Sequence, residues 1–131
     1  MRTTKGIRMP FRSVTRVNEF ERDFKRLLKR FPTLEEDLGT MVRFQLGAFH
    51  KLDIDTKSLF RIEDLGKTAV PIYKAKKFAC RSLKTKGART GLRLIYAYLE
   101  PEDRIDLIEI YLKADKEVED RKRILKYYKR S

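Results

Sequence analysis

Apolar residues recur along this chain at two spacings, one of strands and one of helices, and the alternation between them divides it into elements. From Phe11 to Val17, the residues Phe11, Ser13, Thr15 and Val17 alternate with Arg12, Val14 and Arg16. Pro10 stands at the start, where a missing N–H is tolerated, so the stretch predicts a short strand. Phe20, Phe24, Leu27, Leu28 and Phe31 follow at helical spacing, with Arg22, Lys25, Arg26 and Lys29 on the other sides. Asn18 stands three before Glu21, the spacing of a capping box, and Pro32 ends the helix. Thr33 and Glu36 repeat that spacing and open a second helix. Its apolar face runs through Leu34, Leu38, Met41, Val42, Gln45, Phe49 and Leu52. With about one residue of turn between them, the two helices form an antiparallel hairpin.

Residues 53–68 mix Leu59, Phe60, Ile62 and Leu65 with charges, which reads as a loop carrying one short strand. From Ala69 to Leu83 strand formers and basic residues mingle, with a register break around Lys74–Lys77, and Lys84 to Gly91 is a turn-rich basic loop. Leu92 to Leu99 and Arg104 to Lys113 are strong strands joined by the turn Glu100-Pro101-Glu102-Asp103. From Lys116 the pattern is helical again, with Val118, Ile124, Leu125 and Tyr128 as packing positions. Residues 1–9 are basic and patternless, and are expected to fray. The order β-α-α-β-β-β-α, without repeats or a linker, predicts a single α+β domain over residues 1–131. It is a small antiparallel sheet with the helical hairpin on one face and a C-terminal helix.

A length of 131 residues suits one domain, and 41% hydrophobic content supplies its core. The longest apolar run, Leu94 to Leu99, is six residues, far short of the roughly 20 a membrane helix needs. No apolar signal core follows the basic start, so a cytoplasmic protein with no membrane partner is expected. The one cysteine, Cys80, excludes an internal disulfide. Charge changes the picture more: 32 Lys+Arg against 19 Asp+Glu leave a net +13, which points to a polyanionic partner, most often nucleic acid.

Alternation puts Leu92, Leu94, Tyr96 and Tyr98 on one face and Arg93, Ile95 and Ala97 on the other. It sets Ile108, Ile110 and Leu112 against Leu107, Glu109, Tyr111 and Lys113, and Lys77, Ala79 and Arg81 against Phe78, Cys80 and Ser82. With the hairpin on the apolar side, the other face gathers Lys77, Arg81, Arg93, Glu109, Tyr111 and Lys113. Such a cluster can bind a phosphodiester and cleave RNA without a metal: a base deprotonates the 2′-OH, cations stabilise the phosphorane, and an acid protonates the leaving 5′ oxygen. The same pattern also describes an ordinary solvated face, with Arg93–Glu109 as a cross-strand ion pair. Between Tyr73 and Arg93 lie Lys74, Lys76, Lys77, Arg81, Lys84, Lys86, Arg89 and Arg93, with no carboxylate among them. Each phosphate neutralised there releases about one counterion, so binding should depend steeply on salt. His50, the only histidine, reads as a helix-surface or helix-end residue, and Cys80 as a small buried one. No cluster has metal-ligand spacing, Lys84-Thr85-Lys86-Gly87 lacks a Walker pattern, and no cofactor is expected.

The string Lys77-Phe78-Ala79-Cys80-Arg81-Ser82-Leu83-Lys84, the basic glycine loop, and Gly91-Leu92-Arg93-Leu94-Ile95-Tyr96 together resemble the RelE/ParE superfamily of toxins from type II toxin–antitoxin systems. Leu107-Ile108-Glu109-Ile110-Tyr111-Leu112-Lys113 is similar to that family's last long strand, and the resemblance spans residues 10–128. It implies a RelE-like mRNA interferase, an endoribonuclease acting on mRNA at the ribosome and held inactive by a cognate antitoxin in a hetero-oligomer. Arg93 matches the arginine that contacts the scissile phosphate. Arg81 or Lys77 falls where the preceding strand supplies basic residues, Lys113 near the basic residue after the last strand, and Glu109 near a carboxylate that some branches use as general base. Many members carry a His, or an Arg and a Tyr, beyond the last strand; here Ala114 to Asp120 is acidic and has no aromatics, which leaves Tyr111 as candidate acid or base. The expected catalytic set is therefore Arg93, Arg81, Glu109 and Tyr111, with Lys74, Lys76, Lys77, Lys84, Lys86, Arg89 and Lys113 on the RNA. The alternative is a non-nucleolytic protein, either a ParE-like gyrase inhibitor or an RNA- or ribosome-binding module.

Overall fold

The computed structural model describes residues 2–3, 10–82 and 91–129. Six strands build one sheet: β1 (Arg2–Thr3), β2 (Ser13–Arg16), β3 (Leu59–Arg61), β4 (Ile72–Ala75), β5 (Leu92–Leu99) and β6 (Arg104–Leu112), in the order β1-β2-β6-β5-β4-β3. The α+β class is as expected. The sheet, however, is mixed, because β2 runs parallel to β6 while every other pair is antiparallel. The long stretch between β2 and β6, which holds the helices and then β3, β4 and β5, supplies the connection that parallel pairing requires. Residues 2–3, expected to fray, pair with β2; the other residues of the 1–9 segment lie outside the described ones.

Helix α1 (Asn18–Arg30) buries Phe20, Phe24 and Leu27 on the sheet. Neither expected capping box forms. Val17 precedes α1 without a side-chain cap, and Glu21 turns instead to the guanidinium of Arg16 at 3.2 Å. Arg16 is only 2% exposed; it also binds Glu35 at 2.7 Å and packs over the Phe24 ring, tying β2 to both helices. Pro32 interrupts the chain, as expected. Thr33 then spends its hydroxyl on Asp37 and Ser82 rather than on a helix N–H. The second helical stretch runs from α2 (Leu34–Thr40) through a π-helical turn (Met41–Leu46) into α3 (Gly47–Leu52). Gly47 is required there, since a Cβ would stand 2.9 Å from the Pro10 ring.

The hairpin face of the sheet packs Leu92, Leu94, Tyr96, Ile110 and Leu112 against these helices. The opposite face is covered too. There α4 (Arg121–Tyr128) lays Ile124 and Tyr128 on Ile95, Ala97 and Ile108. Asp120 caps α4 by accepting the Arg123 N–H at 3.1 Å; Val118, expected to pack, precedes the helix and is exposed. Asp106, fully buried, accepts from Thr15 at 2.5 Å, Arg104 at 2.8 Å and the Tyr128 hydroxyl at 2.7 Å, joining β2, β6 and α4.

One irregularity decides which side chains share a face. In β5–β6 the pair Ile95/Glu109 is followed by Tyr96/Leu107, leaving Ile108 without a partner. This bulge sends Leu107 to the hairpin face and Ile108 to the opposite one, the reverse of what unbroken alternation predicts.

Candidate nucleic-acid interface

Register places the expected residues on the opposite face near the open end of β5. One row runs from Phe60 through Lys74 and Ile95 to Glu109, and in the next Arg93 faces Tyr111. Lys76 prolongs β4 through its N–H to the Ser58 carbonyl at 2.8 Å, and its ammonium lies 4.9 Å from the Phe60 ring. Lys113 prolongs β6 through its N–H to the Gly91 carbonyl at 2.8 Å and is exposed. Arg93 is half-exposed and turns one guanidinium nitrogen to the Leu92 carbonyl at 3.2 Å. Among the described residues, none of Lys76, Arg93 and Lys113 has a carboxylate partner.

The expected Arg93–Glu109 pair does not form. Glu109 is buried with both oxygens engaged, one by the Lys116 ammonium and the other by the Asp120 N–H at 2.7 Å. It anchors the 113–120 return on the sheet and is not open to solvent. Lys74 pairs with Glu119 at 2.7 Å. Burial opposes both of these charges, yet the pairing outweighs it, raising the Lys74 ammonium and lowering the Glu119 carboxyl. The Tyr111 hydroxyl is buried beside them without a well-formed hydrogen bond. Burial raises its pKa, so at neutral pH it is a proton donor and not a base.

Arg81 is elsewhere. Its Nε donates to Asp37 at 3.0 Å, its backbone N–H to the same carboxylate at 2.9 Å, and its guanidinium also meets Glu36, so it belongs to the start of α2. Lys77 is exposed and has a positive φ of 53°, which ends β4; the alternation read through Lys77, Ala79 and Arg81 therefore has no strand to carry it. Phe78 and Cys80 are buried, as expected. Lys84, Lys86 and Arg89 lie outside the described residues. His50 stands in the last turn of α3, the helix-end place expected, and is half-buried: its Nε2 is 2.8 Å from the Tyr96 hydroxyl, and burial lowers its pKa to about 4.

Sequence reasoning missed Glu119 and Lys116, because the acidic turn that holds them has no periodicity. Phe60 was missed as well, though an aromatic beside Arg61 is a signal that could have found it; with the Lys76 ammonium over its ring it suits stacking a base beside a bound phosphate. The three cations without carboxylate partners can bind a phosphate backbone. A general base is harder to supply, since Glu109 and Glu119 are both buried and ion-paired. Among the described residues no group of three or more His, Cys, Asp or Glu is placed to hold a metal ion, and no helix is long and apolar enough to cross a membrane. Comparison of the chain with protein-family models, with curated proteins and with solved structures finds no match.

Proposed function

We propose that this protein is a toxin of the RelE/ParE kind that engages mRNA on the ribosome through Arg93, Lys76 and Lys113 and cleaves it. The observation that carries the reading is Arg93: a half-exposed guanidinium on a sheet face, with no carboxylate partner among the described residues and with further cations beside it. In the cleavage step the 2′ oxygen attacks the adjacent phosphorus and the P–O5′ bond breaks, giving a 2′,3′-cyclic phosphate and a 5′-hydroxyl. Arg93 neutralises the charge on the phosphorane, while Lys76 and Lys113 hold the flanking backbone. Tyr111 supplies the proton to the leaving oxygen once the Lys74–Glu119 pair above it yields, and Glu109 serves as base once Lys116 and the Asp120 N–H release it. A cognate antitoxin would keep the protein inactive in a cytoplasmic hetero-oligomer.

A second reading, RNA or ribosome binding without cleavage, is favoured by the buried Tyr111 hydroxyl and the two occupied oxygens of Glu109. Incubating wild type and Arg93→Ala with a defined mRNA, with and without programmed ribosomes, separates the readings. Ribosome-dependent cuts bearing cyclic phosphate, lost in the variant, support the nuclease. Binding that is lost in the variant, with no cuts by wild type, supports the binding module. Binding and cleavage both unaffected by Arg93→Ala would overturn this assignment of the site. Inhibition of gyrase without any RNA binding would move the protein to the ParE reading.

A further inference from the structure

At the other end of β5 from Arg93 lies a cavity of about 550 Å³ between α3, the segment before β4 and the β5–β6 turn. That size falls within the range of small-molecule sites, roughly 300–1,000 Å³. Its walls include Phe49, His50, Tyr73 and Tyr98, and its mouth carries Glu100 and Glu102. We propose that this pocket binds an organic cation, a guanidinium or alkylammonium group, against the aromatic rings and between the two carboxylates.

The rings form a corner, not a flat stack. His50 meets Tyr73 at 4.8 Å and 78°, and Phe49 meets Tyr73 at 5.9 Å and 72°. One face of Tyr73 stacks on Tyr96 at 5.3 Å and 18°, so the rings pack on one another and present a mixed wall of faces and edges to the cavity they line, against which a positive charge can rest. The imidazole does not compete with that charge. It is fixed to the Tyr96 hydroxyl and stays neutral at physiological pH, because burial lowers its pKa to about 4.

The acids are available. Glu100 and Glu102 are exposed and make no ion pair among the described residues. Burial raises the phenols of Tyr73 and Tyr98; Arg61 offsets the rise at Tyr73 and Lys51 at Tyr98, and the Glu100 carboxylate adds a smaller contribution to the rise in both, so its charge reaches both rings. The cations nearby leave the pocket open. Lys51 is bound by Asp103 at 2.5 Å, and Arg61, the cross-strand neighbour of Tyr73, is exposed and does not line the cavity. On a chain of net charge +13, unpaired carboxylates beside aromatic walls select a ligand opposite to the one the RNA face selects. A phosphate-bearing group would be repelled here, and a neutral planar ring would leave both carboxylates unused.

The chain has no tryptophan, and two of its six tyrosines, Tyr73 and Tyr98, line the site, so tyrosine emission can follow binding. The full-length protein would be titrated with agmatine and with a capped Gly-Arg-Gly peptide, against N-butylurea and guanosine as neutral competitors. Saturable agmatine binding is expected, weakened about tenfold or more by Glu100→Gln and Glu102→Gln together and separately by Tyr73→Leu, with the neutral compounds at least about tenfold weaker. Because the two glutamates are exposed, their replacement should leave the circular dichroism unchanged, and Arg93→Ala should leave agmatine binding intact. Agmatine binding alone assigns the pocket to a free small cation, and peptide binding of similar strength assigns it to an arginine side chain of a partner. No saturation, an unchanged affinity in the double variant, or equal binding of a neutral compound would overturn the proposal.

Discussion

Arg93 and Tyr111 are cross-strand partners on one face of the sheet, yet their polar ends meet different surroundings. The guanidinium stays half-exposed beside the Leu92 carbonyl, while the phenol is buried next to Lys74 and Glu119. Neighbours in register are thus unequal in access: Arg93 can meet a phosphate in the structure as it stands, and Tyr111 meets one only if the 113–120 return moves.

Arg93→Ala should weaken RNA binding by about tenfold and reduce the slope of log affinity against log salt by about one, the effect of losing one phosphate contact. The melting temperature should hardly change, because among the described residues Arg93 makes no ion pair and donates one hydrogen bond, to the carbonyl of its own neighbour Leu92. Filter binding at several salt concentrations tests this, and an unaltered slope would remove Arg93 from the phosphate contacts.

Tyr111→Phe removes a buried hydroxyl that has no well-formed hydrogen bond, so stability should stay within about 1 kcal/mol of wild type or rise. RNA affinity should also persist. Cleavage, however, should fall by about 10²-fold or more if the phenol protonates the leaving oxygen. A variant that binds and cuts at the wild-type rate would show that the hydroxyl plays no part in the reaction.

Glu109→Ala deprives the Lys116 ammonium and the Asp120 N–H of their shared acceptor and detaches the 113–120 return from the sheet. Because Lys116 can reach water, the expected cost is about 2–3 kcal/mol, below that of breaking a fully buried pair. Urea denaturation measures it. A loss under about 0.5 kcal/mol would mean that the return is held by other contacts.

Acid should weaken the fold in two steps. His50 is lowered from 6.5 to about 4, chiefly by burial, so between those values the unfolded chain takes up a proton that the folded chain refuses. Its contribution is complete above about 6.5 and is lost as the pH falls to about 4, amounting to about 2 kcal/mol once solvent screening at this half-buried ring is allowed for. Glu19, lowered from 4.5 to about 2 chiefly by the Tyr127 hydroxyl, contributes stability that is present above 4.5 and lost as the pH falls toward 2. Denaturation midpoints measured against pH should decline through the first window in wild type and stay flatter in His50→Gln. Identical slopes in the two proteins would place the first step elsewhere.

Strong periodicity made much of the architecture legible. The run Phe20, Phe24, Leu27 could bury its stripe only as a helix, and Pro32 had to interrupt the chain after it. Leu92–Leu99 and Arg104–Leu112 were readable as a hairpin because a short turn joins two strand-forming runs. The capping boxes failed for a different reason. Glu21 turned back to Arg16 in the preceding strand, five residues away, and Glu36 met Arg81, 45 residues on; neither pairing follows from the capping-box spacing.

By itself the sequence determined the α+β class, the helical hairpin, the central strand pair and the excess of positive charge, since local periodicity and composition carry all of these. Only the tertiary structure decided which charges are free. One unpaired residue, Ile108, reverses the faces within β6; α4 covers a face that alternation alone left open; and Arg81 and Glu109 are drawn into ion pairs with Asp37 and Lys116. Exposure of a charged side chain depends on what packs over it and which opposite charge reaches it first. Both are settled by packing and pairing that local periodicity does not carry, whether the partner stands 44 residues away, as Asp37 does from Arg81, or seven, as Lys116 does from Glu109.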